Sequence, residues 1–264
     1  MNTYAWLSDT HFNFVKEDVF SGLCSQICAS QAQGIWLTGD IAESKDVEKH
    51  LLALHVQTKL PIYFVLGNHD YYGSSIKEVH QKITYLHKEH AQLYWLDETQ
   101  PIWLSKEQVL IGVGGWGDAK AGDFMGTPIR INDHRLIQEL SQLPRLELQK
   151  KLRVLGEQMA QRLHEKLLQS AKAKRICVLT HVPPFVDACW HNGNVGDGNW
   201  TPDFVCVSVG EVLRSFAQSH RDISIQVLCG HGHSRGIAQI AHNLTVHTAA
   251  AEYRKPCVEA YWRC

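Results

Sequence analysis

Apolar positions at the start of the chain fall into short continuous runs, separated by longer stretches in which they recur every three or four residues. Runs at 4–8, 35–38 and 62–66 predict buried strands, and helical spacing over 17–32, 45–58 and 75–90 predicts the segments between them. This β-α-β-α-β rhythm implies a parallel sheet with crossover helices. From residue 93 the pattern shortens to strands at 93–96, 102–104 and 109–113. A stretch rich in Leu, Gln, Glu and Lys over 145–173 predicts a long helix. Strands return at 176–179 and 225–228, the latter after a helix at 209–220, and the tail from 236 to 263 reads as strands. No Pro/Gly/Ser-rich linker or repeat interrupts the chain, so residues 1–264 are read as one domain.

Two segments carry no period. Residues 118–133 contain Gly122, Gly126 and Pro128; residues 183–202 contain Gly193, Gly196 and Gly198 together with Trp190 and Trp200. Loops this long are usually functional or disordered, and the two tryptophans favour an ordered loop beside a site.

Composition narrows the function class. In 264 residues, 26 Lys and Arg face 27 Asp and Glu, a formal charge of −1. That balance argues against long nucleic acids or an anionic lipid surface as the main partner. No apolar run approaches the ~18–20 residues that span a bilayer, and no signal-peptide pattern opens the chain, so a cytoplasmic protein is expected. Eight cysteines then read as reduced thiols, mostly buried. Cys189, His191 and Cys206 admit a zinc reading that no paired C-x-x-C spacing supports. The sequons at Asn199 and Asn243 are read as chance matches.

The chemistry gathers where predicted strands stop. The first ends in Asp9-Thr10-His11, the second in Gly39-Asp40 and the third in Gly67-Asn68-His69-Asp70. The strand at 176–179 ends in Thr180-His181, and that at 225–228 runs into Gly230-His231-Gly232-His233. Ligands of open α/β sheets bind beyond the carboxyl ends of the strands, so five strand ends deliver carboxylate, carboxamide and imidazole groups to one edge. The interleaved glycines allow sharp backbone turns there. Each element alone occurs by chance or as turn chemistry. Five in this order do not.

The series DxH, GD, GNHD, H, GHxH resembles that of the calcineurin-like metallophosphoesterase superfamily and runs from residue 9 to residue 233. The resemblance implies a four-layer α/β/β/α sandwich with a dinuclear metal centre. Asp9, His11 and His233 would hold one ion, Asn68, His181 and His231 the other, and Asp40 would bridge them. Mixed imidazole and carboxylate donors suit transition metals, with Mn expected and Fe, Zn, Ni or Co admissible. Two cations roughly 3.5 Å apart clamp attacking and leaving oxygens, and a bridging hydroxide serves as nucleophile. His69 is expected to assist the leaving group, with Asp70 orienting its ring or capping the following turn.

Substrate contacts are expected from Arg130, Asn132 and Arg135, from His191 in the second long loop, and from Tyr72. The family carries an Asn-Asp-aromatic-Arg stretch here, and His134 stands at the aromatic position. Asp133 reads as part of that stretch or as a cap on the helix that follows, and His247 as a group behind the ligands. The run Gly112–Gly117 matches G-x-G-x-x-G, but no helical period follows, which argues against a dinucleotide cradle. The expected activity is hydrolysis of phosphomonoesters or phosphodiesters of a small molecule or a phosphoprotein. A Ser/Thr phosphatase and a nucleotide pyrophosphatase are alternatives on the same site. A non-catalytic scaffold is a remoter one, and zinc peptidase or deaminase motifs are missing.

Overall fold

The computed structural model describes residues 2–263. Its first half alternates as the apolar pattern predicts: β1 (Thr3–Leu7), α1 (Glu17–Ala29), β2 (Gly34–Thr38), α2 (Val47–Thr58), β3 (Ile62–Val65), α3 (Ile76–Glu89) and β4 (Leu93–Trp95). Then come β5 (Ile102–Trp103), β6 (Gln108–Gly112), the single turn α4 (Asp133–Leu136), the long α5 (Arg145–Gln169) and β7 (Arg175–Leu179). The hairpin β8 (Trp190–His191) and β9 (Asn194–Val195), the turn α6 (Thr201–Phe204) and α7 (Val207–Ser219) lead to β10 (Ser224–Cys229), β11 (Gly236–Ala241), β12 (Leu244–Thr248) and β13 (Ala260–Arg263).

The strands form two main sheets. In the first, β1, β2, β3 and β4 run parallel in that order, with β13 antiparallel on the β1 edge. In the second the order is β11-β12-β10-β7-β6-β5, with a parallel centre of β12, β10, β7 and β6 and antiparallel edges.

Strand alternation sorts side chains into layers, because successive residues point to opposite faces. Tyr4, Trp6, Trp36 and Val65 of the first sheet meet Leu110, Cys177, Leu179 and Leu228 of the second in one buried cluster. Their neighbours Ala5, Leu7, Ile35, Leu37, Val109, Ile111, Ile176 and Val178 face the helices. Helices α1, α2 and α3 cover the first sheet, and α5 and α7 the second. The outcome is the expected α/β/β/α sandwich.

Helix ends follow local chemistry. Ser75 caps α3 by accepting the Glu78 amide at 3.0 Å. Helix α1 stops at Ala29, short of the predicted 32, because Gln31 turns to φ 59°. Helix α5 stops at Gln169 rather than 173. The tail is strand only in part: residues 249–259 have no regular structure before β13. The segment 183–202 is ordered by the β8–β9 hairpin rather than structureless. The segment 118–133 is tied down where Asp118 accepts the Ser208 amide and hydroxyl, both at 2.8 Å, at the start of α7. No helix of the described residues is long and apolar enough to cross a membrane.

Candidate metal centre and active site

Seven predicted ligands converge where the central strands of the two sheets meet. The first sheet supplies Asp9 and His11 after β1, Asp40 after β2 and Asn68 after β3; the second supplies His181 after β7 and His231 and His233 after β10. Backbone bonds pin these strand ends together. The Asp9 and His11 amides donate to the Gly39 and Asp40 carbonyls at 3.1 and 2.9 Å, and the Gly230 amide donates to the His181 carbonyl at 3.0 Å.

Five of the seven sit in left-handed backbone: Asp9 (φ 48°), His11 (41°), Asp40 (51°), His231 (69°) and His233 (54°). That conformation costs a residue with a Cβ about 1–3 kcal/mol and persists only where the surroundings over-determine it. It turns each side chain out of the strand direction and into the centre. Gly39 shares it (φ 84°). Gly67 and Gly230 serve a different end from the sharp turn expected of them. A Cβ on Gly67 would stand 2.2 Å from Asp40 Oδ1, and one on Gly230 2.0 Å from Asp9 Oδ2. They are clearances for the ligand carboxylates.

The ligand atoms form two groups that share Asp40: Asp9, His11, Asp40 and His233, and Asp40, His181 and His231, with the donor atoms of each group within 4.8 Å of one another. His181 Nε2 lies 3.0 Å from Asn68 Oδ1 and 3.4 Å from Asp40 Oδ1, while His233 Nε2 lies 3.4 Å from Asp9 Oδ1. Burial above all disfavours the charged forms of His11, His181 and His231, with His11 lowered to about 4 and His231 to about 3, while Asp9 raises His233 against its burial. A neutral imidazole offers the lone pair a metal needs. Burial also pushes the Asp40 carboxyl well up, reinforced by the charges of Asp9 and Asp70. Among the described residues only histidines stand as ion-pair partners of Asp9 and Asp40. Buried carboxylates beside neutral imidazoles fit divalent cations.

Neighbours fix which atom of each ligand faces inward. His181 Nδ1 lies 2.9 Å from the Thr38 carbonyl, leaving Nε2 for the centre, and His231 Nε2 lies 3.2 Å from the Asp203 carbonyl, leaving Nδ1. Asn68 donates its amide to Asp133 Oδ1 at 2.7 Å, so its own Oδ1 points the other way. Tyr72 donates to the same Asp133 oxygen at 2.6 Å. Asp133 is therefore a brace for Asn68 rather than a helix cap. His134 Nε2 meets Asp203 Oδ1 at 3.1 Å, joining the 118–133 segment to the turn that orients His231.

His69 lies 3.9 Å from Asp40 through its Nε2, with its ring against Tyr72 at 4.2 Å and its amide donating to Asp40 Oδ1 at 2.9 Å. Asp70 does not orient that ring. Its carboxylate accepts the Ile41, Ala42 and Gly67 amides at 2.8, 3.0 and 2.8 Å, which staples the Asp40 loop to the Asn68 loop. A cavity of about 330 Å³ opens over the centre, and Tyr72, Arg130, Asn132 and His191 line it as expected. Arg135 does not: it is exposed and lies outside the walls of this cavity and of the one adjoining it.

Sequence reasoning passed over Phe204, whose ring packs 4.4 Å from His231, Asp203, and Tyr253, whose ring stacks on His11 at 4.4 Å. None sits in a motif, and only the fold brings them near. His247 bonds Gln226 at 2.8 Å and, among the described residues, no ligand. Among the described residues Cys189, His191 and Cys206 form no ligand group, and the seven described cysteines are free. Asn243 is buried, donating its amide to three carbonyls, which removes its sequon from the surface. No helix opens after Gly112–Gly117 before Asp133, so that run cradles no dinucleotide.

Solved structures of the same fold cover nearly all of the chain. The phosphopantetheinyl hydrolase of Mycobacterium tuberculosis matches with a TM-score of 0.66 at 12% identity, over 96% of this chain and 90% of that one. A dimetal phosphatase of Danio rerio matches with 0.57 at 15% identity, over 94% and 87%. The protein TT1561 of Thermus thermophilus matches with 0.56 at 16% identity, over 94% and 89%. At such identities the likeness is one of fold. No curated protein matches the chain. The sequence profile of the calcineurin-like phosphoesterases matches residues 3–235, a span that contains every strand end described above. On that match this chain belongs to the calcineurin-like phosphoesterase family.

Proposed function

We propose that this chain hydrolyses phosphate esters of small molecules at a dinuclear metal centre. The observation that carries the reading is the sharing of Asp40 between two groups of buried ligands at the floor of an open cavity. Asp9, His11, His233 and Asp40 would hold one ion, and Asn68, His181, His231 and Asp40 the other. When bound, two divalent transition metals supply charge for the phosphoryl oxygens and acidify a water.

The chain's own groups do the rest. His69 borders the cavity, and burial first of all disfavours its imidazolium, lowering its pKa to about 2. A neutral ring still carries one N–H, which His69 donates to the leaving oxygen as negative charge develops there. Asp70 contributes by positioning, since it locks the loops of Asp40 and Asn68. Arg130 spends Nη1 on the Thr127 and Ile129 carbonyls at 2.6 and 2.7 Å. Its other N–H groups would be the ones to meet a phosphoryl oxygen. A cavity of about 330 Å³ suits a phosphate with a small alcohol. Retention of all seven ligand positions and of His69 weighs against a scaffold.

The test is hydrolysis of para-nitrophenyl phosphate and its bis ester by metal-stripped protein, with Mn, Ni, Co, Zn or Mg restored singly. We expect turnover with a transition metal, Mn foremost, and its loss in Asp40→Asn. Failure to bind any metal would sink the reading, and the mono-to-diester ratio selects the ester class.

A further inference from the structure

A second cavity of about 420 Å³ continues the first, sharing His69, Tyr72, Asn132 and Tyr253 as common wall. It adds Phe14, Glu43, Leu136 and Arg254. Phe14 follows the β1 ligands, and Tyr253 and Arg254 come from the irregular tail, so these rings and this charge are added by segments outside the motifs.

Its surface has the chemistry of a ring-binding site. Tyr253 is 44% exposed and Phe14 42% exposed, a large apolar area to leave beside a polar centre. The two rings meet edge to face at 5.7 Å and 73°, while His11 stacks under Tyr253 at 25°. Tyr253 is thus backed on one side and held by an aromatic edge, a pre-formed surface for a further planar group. Among the described residues the side chains of Glu43 and Arg254 carry no hydrogen bond or ion pair, so an acceptor and a donor stand free in the same groove.

We infer that this groove is a subsite for the leaving alcohol and that it takes a planar aromatic group. The inference rests on the phosphoesterase reading for the placement of the phosphoryl group; from there, His69 on the shared wall puts the scissile oxygen at the mouth of the groove. A nucleoside and a simple phenol share the ring chemistry. Glu43 separates them, because a carboxylate accepts from ribose hydroxyls.

The experiment pairs turnover with binding. With Mn-loaded protein, kcat/KM is measured for adenosine 5′-monophosphate, phenyl phosphate and glycerol 3-phosphate, in wild type, Phe14→Ala, Tyr253→Leu and Glu43→Gln. Adenosine binding to the metal-free proteins is followed by saturation-transfer NMR. Ring stacking predicts that Phe14→Ala and Tyr253→Leu lower the ratio of aromatic to aliphatic ester by about 10-fold and weaken adenosine binding. A further loss in Glu43→Gln confined to the nucleotide identifies a nucleoside; none identifies a phenol. An unchanged ratio, or no adenosine binding together with no aromatic preference, overturns the subsite. Ring-dependent adenosine binding without turnover of any ester would strike instead at the phosphoesterase reading.

Discussion

His69 and Asp133 act at the scale of single residues, in opposite ways. His69 borders the cavity with its polar ring edge toward Asp40. Replacing it by Asn or Ala should lower kcat ~10²–10⁴-fold while both metals remain bound, as seen by metal analysis beside steady-state kinetics. Asp133 is buried outside the walls of the cavity and holds Asn68 by its amide. Asp133→Ala should therefore weaken metal affinity at the Asn68 side by about 10–100-fold, read by competition with a chelator. Asp133→Asn, which keeps an acceptor, should recover most of it. The residues of the candidate centre were legible in the sequence because their types and order carry the chemistry. Asp133, Asp203 and Tyr253 were not, since each acts through a contact made across 28 residues or more.

At the scale of elements, the strands were readable because alternation and burial act within a few residues. What each face meets was not. Trp36 is fully buried between the sheets, among residues of both. Trp36→Ala should cost about 3–5 kcal/mol in denaturant unfolding, since a cavity there cannot collapse onto one sheet alone. The glycine after β10 belongs to the same scale. A methyl group on Gly230 would press on Asp9 Oδ2 and Ser8 Oγ, each 2.0 Å from the added Cβ. Gly230→Ala should lose metal at the Asp9 ion before it loses fold, measured by metal content and circular dichroism together. The loop at 183–202 is ordered beside the cavity, and only the hairpin within it went unread, because its strands are two residues each, too short to leave a period.

For the whole molecule, buried imidazoles couple stability to pH. Burial lowers the pKa of His11, His50, His69, His80, His181, His231 and His247 below 6.5, while Asp9 raises that of His233 against its burial. The seven lowered imidazoles outnumber the four groups of opposite sign, His233 and the buried carboxyls of Asp40, Asp70 and Asp133, which burial raises; the unfolded chain therefore binds more protons than the fold once pH falls below 6.5, and stability declines with acidity. The melting temperature of metal-free protein should hold above pH 7 and drop from about pH 6.5 toward pH 4. A flat profile across that window would contradict neutral histidines in the fold. By itself the sequence determined the strand–helix order and pointed to the side chains that converge at the candidate metal centre, because periodicity and side-chain chemistry are local. The tertiary structure alone decided which sheets face each other, which carboxylates brace rather than ligate, and which aromatic rings wall the cavity. Those are contacts between distant segments, and no local pattern records the distance that closes when two sheets pack.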